Sequence, residues 1–309
     1  MLTMSLVPSE LTQPVIDGTV AVEGAEWEIS ASKSVDGNSR QMLSGAFDVA
    51  EMSFATFLKA CEQGRDLIGL PIFTGRGFLQ PGVACVPVIS RPEGLASKRV
   101  GLPQFWMTSS VWHRGILEQQ HGVKQDAVQW LTQVEERFED IRTPPGVRIG
   151  RLPNDMSLND ALREGLVDAI MVPPRGARGL DDDTGRPYAD VTEAQRDYFQ
   201  ATGVFPIMHF VVMRASVCRS TPALAGSLFA AFVEAKKMSA AQAGLPAPIG
   251  GLSRLQQEAL FGADPWSYGL DANRRTLETF LGFTIAQGWL LHPRPLEDYF
   301  VPNALRLRD

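Results

Sequence analysis

The chain has 309 residues, a formal net charge of −6, and a composition of 44% hydrophobic and 21% charged residues. This composition is ordinary for a globular protein and excludes a disordered chain. The sequence has no long cluster of lysine and arginine and no run of about 20 apolar residues, so we expect neither nucleic acid nor a membrane as a partner. The length predicts two domains or one large α/β domain.

The N-terminal residues and the cysteines predict a cytoplasmic protein. "MLTMSLVPSELTQPV" has neither the basic segment nor the long apolar segment of a signal peptide. The three cysteines, Cys61, Cys85 and Cys218, are odd in number and far apart in the chain. This spacing favours free thiols in a reducing compartment.

Strand-like and helix-like segments alternate from the N-terminus. Four apolar segments predict strands: "LTMSL", "WEISA", "FDVAEMS" and "LIGLPIF". Helix-like stretches occur at 39–44 and 54–63. The next predicted elements are a strand at 83–89, the strand "RVGLP", a helix at 109–121, the strand "VRIGRL", a helix at 158–164 and the strand "VDAIMVP". Strands that alternate with helices indicate an α/β fold with parallel sheets covered on both faces.

The second half of the chain begins with the apolar run 202–214, which has His209 in its middle, and continues with helices at 222–243, 254–260 and 272–287. Two apolar strands, near 83–89 and 207–213, bracket an α/β segment. A chain that leaves one α/β lobe and returns to it forms two lobes joined by two crossover strands. The sequence therefore predicts one lobe from residues 1–86 and 211–309, a second lobe from residues 87–210, and a ligand cleft between them.

Several polar residues lie at the ends of predicted strands, where open α/β sheets bind ligands; they are Glu51, Arg76, Gln104, Thr108, Ser109, Ser110 and Arg175. His209 lies within the second crossover strand. Each alone also has a structural explanation, as a helix cap, a solvated loop residue or a buried hydrogen-bonding group. Together, two guanidiniums and a helix N-terminus with hydroxyls form a receptor for one or two carboxylates. Trp106 and Phe105 offer a face for an aromatic ring. The set predicts a small aromatic acid as the ligand.

Motifs for a cofactor or an activated serine do not occur. G-x-S-x-G, H-E-x-x-H and Walker A are absent, and "GRGFLQPG" lacks the G-x-G-x-x-G spacing. His113, His121 and His292 are typical of packing or surface residues. We therefore predict no organic cofactor. A divalent metal stays an alternative, because Glu51 and His209 are two candidate ligands for it.

Six segments in order, over nearly the whole chain, carry a family pattern: "FDVAEMSFATFL", "LIGLPIFTGRGF", "RVGLPQFWMTSSVWHRGILEQQHGV", "EGLVDAIMVPPR", "TGVFPIMHFVVMR" and "DPWSYGLDANRRTLETFLGFTIAQGW". In these segments the chain resembles the 4,5-dihydroxyphthalate decarboxylase family, relatives of the type II periplasmic solute-binding proteins. The resemblance implies two α/β lobes, each with a mostly parallel sheet flanked by helices, and loss of CO2 from a dihydroxylated aromatic diacid. The candidates that it carries over are Glu51, Ser53, Arg76, Trp106, Thr108, Arg175 and His209.

The chain also departs from the family. Leu79 and Gln80 stand where family members tend to carry a basic residue and a histidine, and we retain Gln80 as a candidate for substrate binding. Decarboxylation of such acids usually begins with protonation of the ring carbon that bears the carboxylate. The expected roles are proton transfer by His209 or Glu51, carboxylate binding by Arg76 and Arg175, binding of a second anionic group by Thr108 and Ser109, and ring stacking by Trp106.

Two alternatives stay open at this point. The same scaffold serves binding or sensor proteins for aromatic acids, and it also serves other lyases or synthases. The C-terminal helices and the "LHPRPLEDYF" segment are candidates for a homo-oligomer interface or for a cap on one lobe.

Overall fold

The computed structural model describes residues 1–138, 141–180, 184–242 and 244–309. The chain divides into two compact units. Unit 1 consists of Met1–Arg76, Ile207–Glu278 and His292–Asp309, and unit 2 consists of Gly77–Pro206 and Thr279–Leu291. The boundaries expected from the sequence, at 86 and 211, therefore differ from those of the structure. The first differs because the strand around residue 84 pairs within the sheet of unit 2.

The described residues form eleven strands, numbered in chain order: β1 Leu2–Leu6, β2 Trp27–Ala31, β3 Val49–Ser53, β4 Leu67–Gly69, β5 Gly75–Arg76, β6 Val83–Cys85, β7 Arg99–Leu102, β8 Gln129–Thr132, β9 Arg148–Arg151, β10 Ala169–Met171 and β11 Ile207–Arg214. The sheet of unit 1 has the order β2-β1-β3-β11-β4, and β5 also pairs with β11. In it, β1 is parallel to β2 and β3, whereas β11 is antiparallel to its neighbours.

The sheet of unit 2 has the order β6-β10-β7-β8-β9. Only the pair of β6 and β10 is antiparallel among its four strand pairs. This confirms the predicted α/β class. The sheet of unit 2 is mostly parallel, as predicted, whereas the sheet of unit 1 is mixed because β11 runs antiparallel to each strand that it pairs with. Parallel strands need crossover helices that cover both faces, which explains why β7 and β10 consist of nearly uninterrupted buried residues.

The helices of the described residues are α1 Gln13–Ile16, α2 Val35–Ser44, α3 Phe54–Glu62, α4 Thr108–His121, α5 Leu158–Arg163, α6 Val191–Thr202, α7 Ala215–Ser220, α8 Leu224–Gln242, α9 Arg254–Phe261 and α10 Leu270–Ala286. Helix α10 contributes residues 270–278 to unit 1 and residues 279–286 to unit 2. Within the described ranges, none of these helices combines the length and the apolarity that crossing a bilayer requires.

The structure differs from the predicted elements at several ends. Helix α2 begins four residues earlier than predicted because Ser34 caps it, with its side-chain oxygen accepting a hydrogen bond from Gly37 N–H. The strands predicted at 67–73 and 83–89 are shorter, and Pro71 and Pro87, which lack an N–H donor, lie just beyond their ends. Elements α1, β5, β8, α6 and α7 were not predicted. Residue 243, the predicted end of α8, lies outside the described residues.

An aromatic cluster anchors β11 in unit 1. The ring of Phe210 lies 4.9 Å from that of Phe57 and 5.2 Å from that of Phe54, both on α3, and it also contacts Phe73 and Phe300. Because side chains alternate between the faces of a strand, the preceding residue, His209, projects from the opposite face. The packing of Phe210 therefore fixes the face on which His209 lies.

Candidate active site

Glu51 is a buried carboxylate in the middle of the central strand β3. Only 3% of its side chain is exposed. A carboxylate at such a place is costly unless hydrogen bonds replace its lost water. Two donors provide them: the backbone N–H of Val7 donates to Oε2 at 3.0 Å, and the Thr74 hydroxyl donates to Oε1 at 2.8 Å. Both acceptor oxygens of Glu51 are therefore held in place.

His209 lies beside Glu51 on the same face of the sheet. The antiparallel register pairs His209 with Ser53 and Val211 with Glu51, so the two side chains are diagonal neighbours. Nδ1 of His209 is 3.6 Å from Oε1 of Glu51, and 24% of the histidine side chain is exposed. Within the described residues no group lies in hydrogen-bond geometry with this buried Nδ1. The imidazole therefore lies beside a buried carboxylate and is itself partly exposed.

Gly75 makes the position of His209 possible. On the side of β11 away from Ser53, His209 pairs with Gly75 of β5. A Cβ atom placed on Gly75 would lie 2.5 Å from Nδ1 of His209 and 3.0 Å from its Cγ. These separations are shorter than van der Waals contact, so a glycine is required at this position while the imidazole keeps its place.

Arg76 follows Gly75 and is half-buried. Its Nη2 donates to the carbonyl oxygen of Ser267 at 2.8 Å and to the side-chain oxygen of Asn273. Burial lowers the pKa of the guanidinium to about 10, so it is still positively charged at neutral pH. The charge of Arg76 therefore lies in an environment where water competes weakly for it, which strengthens hydrogen bonds to an anion.

Four of the predicted residues thus occur together in unit 1: Glu51, Ser53, Arg76 and His209. Ser53, the last residue of β3, is half-buried, and its backbone N–H donates to Oγ of Ser39 at 3.2 Å. The other predicted residues, Gln80, Trp106, Thr108, Ser109 and Arg175, belong to unit 2.

In unit 2, the start of α4 forms a separate group of buried polar side chains. Thr108, Ser109 and Ser110 occupy its first turn and are buried, and no side chain caps this end of the helix. The hydroxyls of Ser109 and Ser110 have no hydrogen-bond partner among the described residues, and the same is true of both amide atoms of Gln80. Buried polar atoms without partners are uncommon in native proteins.

Gln80 belongs to a short 3-10 turn, Gln80–Gly82, that packs near this helix. A Cβ atom on Gly82 would lie 3.6 Å from Nε2 of His113, which is one helical turn after Ser109. Nε2 of His113 is 3.0 Å from the carbonyl oxygen of Val172. His113 is thus a packing residue, as predicted from the sequence.

Trp106 has a different environment from the one expected. Its indole is 4% exposed and stacks on Trp289, with ring centroids 4.7 Å apart. The Arg114 guanidinium lies over the Phe105 ring at 3.7 Å, and a carboxylate oxygen of Glu136 accepts hydrogen bonds from the N–H groups of Phe105 and Trp106. Because Trp289 covers the indole, we assign Trp106 the support of the loop before α4 instead of a contact with substrate.

Arg175 lies in the 3-10 turn Pro174–Gly179 and is exposed.

A metal centre has little support from side-chain clustering. Within the described residues no group of three or more His, Cys, Asp and Glu side chains could hold an ion, and Glu51 with His209 supplies two donors.

Three contributors to the site were not among the residues predicted from the sequence. Thr74 precedes Arg76 by two residues, and a single threonine in an apolar segment gives no functional signal. The backbone N–H of Val7 has no side-chain signal. Asn273 lies 197 residues from Arg76, and only the tertiary structure brings them together.

Comparisons with known proteins give two curated relatives. The chain is 28% identical to a 4,5-dihydroxyphthalate decarboxylase of Comamonas testosteroni over 93% of this chain and 94% of the relative. It is 27% identical to a 4,5-dihydroxyphthalate decarboxylase of Pseudomonas putida over 52% of this chain and 66% of that protein. No family model matches the chain.

Solved structures identify the fold. The periplasmic aliphatic sulphonate binding protein SsuA of Escherichia coli aligns with a TM-score of 0.59 at 12% identity, over 99% of this chain and 98% of that protein. The chain therefore has the fold of periplasmic binding proteins. At this identity the likeness carries no information about the ligand.

Proposed function

We propose that the chain belongs to the 4,5-dihydroxyphthalate decarboxylase family and that it is a carboxy-lyase that removes CO2 from a dihydroxylated aromatic diacid. The curated relatives support the reaction class. The single observation that supports the chemistry is the pair of His209 and Glu51, an imidazole 3.6 Å from a buried, hydrogen-bonded carboxylate.

We assign the proton donor to His209 and the supporting charge to Glu51. The oxygens of Glu51 already accept hydrogen bonds from Val7 and Thr74, so the carboxyl group is held in place beside the imidazole. The carboxylate then stabilises a protonated imidazole through Nδ1. The opposite ring nitrogen, Nε2, transfers the proton. The exposed fraction of the side chain is larger for His209 than for Glu51, which supports His209 as the donor, because the donor has to reach the substrate.

The reaction then proceeds in two bond changes. The proton of His209 Nε2 passes to the ring carbon that bears the leaving carboxylate, and a hydroxyl para to that carbon stabilises the cationic ring. The bond from this carbon to the carboxylate breaks, its electron pair restores aromaticity, and CO2 leaves. Water returns a proton to the imidazole. General acid catalysis of this kind contributes about 10²- to 10⁴-fold.

Arg76 is assigned to a substrate carboxylate, because its charge is partly desolvated and held by neutral acceptors. The start of α4, which no side chain caps, is also assigned to anion binding. Ser109 is the side-chain donor there, beside the backbone N–H groups that a helix N-terminus offers to an anion. Thr108, Gln80 and Arg175 keep their assignment to substrate binding. Ser109→Ala is expected to raise KM more than it lowers kcat.

The proposal is tested by incubating the protein with 4,5-dihydroxyphthalate and measuring CO2 and the dihydroxybenzoate product. We expect the two in equal amounts. Phthalate, which has no ring hydroxyl, is the matched control and should remain unchanged, because its protonated ring lacks the stabilising substituent. Binding of 4,5-dihydroxyphthalate without any CO2 would instead identify a binding or sensor protein, and another product would identify a different lyase.

A further inference from the structure

We propose that Asn273 is a positioning residue that orients Arg76 toward a substrate carboxylate without placing a negative charge beside the guanidinium. The inference rests on the proposed function, since it concerns the carboxylate that Arg76 is assigned to bind. Asn273 is 3% exposed and lies in the first turn of α10. Its side chain joins Arg76 to the loop before that helix.

Hydrogen bonding determines the orientation of the Asn273 amide. Nδ2 donates to the carbonyl oxygens of Ser267 at 3.0 Å and of Gly269 at 2.8 Å, and Oδ1 accepts from Nη2 of Arg76. Carbonyl oxygens only accept and a guanidinium only donates, so the reversed amide would oppose donor to donor and acceptor to acceptor. The amide therefore has one satisfied orientation, with its oxygen toward Arg76.

The loop that carries these acceptors is itself fixed. The N–H of Gly269 donates to the carbonyl oxygen of Pro71 at 2.8 Å, and Gly269 has a positive φ of 95°. A Cβ atom there would lie 2.8 Å from the carbonyl oxygen of Leu307. The carbonyl of Ser267, which accepts from both Arg76 and Asn273, thus belongs to a tightly packed turn. Nη2 of Arg76 is consequently held by two fixed, neutral oxygens.

The neutrality of Asn273 is the central feature. Aspartate has nearly the same shape, but at this position it would form an ion pair with Arg76 and cancel the charge that an anionic ligand needs. Asp264 also acts electrostatically on Arg76, yet its carboxylate is already paired with Lys236. An amide at position 273 therefore supplies orientation without neutralisation.

The test uses Asn273→Asp, with Asn38→Asp as the matched control. Asn38 is also a buried asparagine of unit 1 whose Nδ2 donates to a serine carbonyl, that of Ser5, at 3.1 Å. Both substitutions place a new carboxyl in a buried site, but only the first places it on Arg76. The measurements are KM and kcat with 4,5-dihydroxyphthalate and the Kd of phthalate by calorimetry.

We expect Asn273→Asp to raise KM and the phthalate Kd by about 10- to 100-fold, as loss of a hydrogen-bonded charge interaction would, with kcat within about 3-fold of wild type. Asn273→Ala, which removes the clamp without adding a charge, should raise KM less. Equal KM and Kd values for Asn273→Asp and Asn38→Asp would overturn the inference. If wild type binds phthalate but releases no CO2 from 4,5-dihydroxyphthalate, the proposed function fails, and the phthalate Kd of the variants still decides the role of Asn273.

Discussion

Gly75→Ala is expected to displace His209 and thereby to abolish most turnover while the protein remains folded. The added Cβ would lie 2.5 Å from Nδ1 of the imidazole, whereas ordinary van der Waals contact begins near 3.4 Å. The ring must therefore withdraw by about 1 Å, and a displacement of that size at a catalytic group costs about 10²-fold in rate. His209 would then lose its position 3.6 Å from Oε1 of Glu51.

The assay compares kcat for Gly75→Ala with kcat for Gly226→Ala. Gly226 is an exposed glycine of α8, and a Cβ atom there meets nothing within 4 Å. Gly226→Ala should retain wild-type kcat and raise the free energy of unfolding by about 0.4–1 kcal/mol. Urea unfolding of both variants checks the fold. A kcat for Gly75→Ala above about one third of the wild-type value, in a folded protein, would show that the imidazole does not need its present position.

Two further predictions concern ionisable groups. Glu51→Gln preserves the shape of the side chain but removes the charge that stabilises the imidazolium, so we expect kcat to fall by about 10²-fold or more. The control, Glu193→Gln on the exposed start of α6, should leave kcat unchanged. For stability, burial lowers the pKa of His113 to about 4 from its ordinary value of 6.5, with a smaller contribution from Arg114. Because the unfolded chain binds this proton more readily, stability should fall by up to about 3 kcal/mol as pH decreases from 6.5 to 4. Urea unfolding at several pH values measures this loss, and a slope that His113→Gln leaves unchanged would contradict the assignment.

The elements that carry the candidate site could largely be predicted from the sequence. The apolar segment 47–53 contains β3, the run 202–214 contains β11, and the helix expected at 109–121 is α4, which begins at Thr108. These segments have strong signals because they are buried on both faces or have a full helical length. The predicted family resemblance and fold class are confirmed by the comparisons.

Elements with weak apolar signals were missed. Strand β5 has only two residues, and its existence depends on pairing with β11. Helix α6 buries only Gln195 and Tyr198 along its twelve residues, and few of its side chains are apolar. Propensity and periodicity give no information where tertiary pairing determines the structure.

The partners of the candidate residues could not be predicted for a related reason. Glu51 was a candidate because it ends an apolar strand, but its donors are a backbone N–H 44 residues away and a hydroxyl 23 residues away. The contact between Arg76 and Asn273 likewise joins distant segments. Hydrogen bonds between residues far apart in the chain depend on strand order and register, which a single sequence does not specify.

Turnover by His209→Gln tests the central claim most directly, with His292→Gln as the matched control because His292 is an exposed histidine of the same unit. With 4,5-dihydroxyphthalate as substrate, we expect His209→Gln to lower kcat by about 10³-fold while the phthalate Kd changes little, since glutamine cannot donate a proton to carbon. His292→Gln should match wild type in both measurements. A folded His209→Gln protein that releases CO2 at a near-native rate would contradict the account.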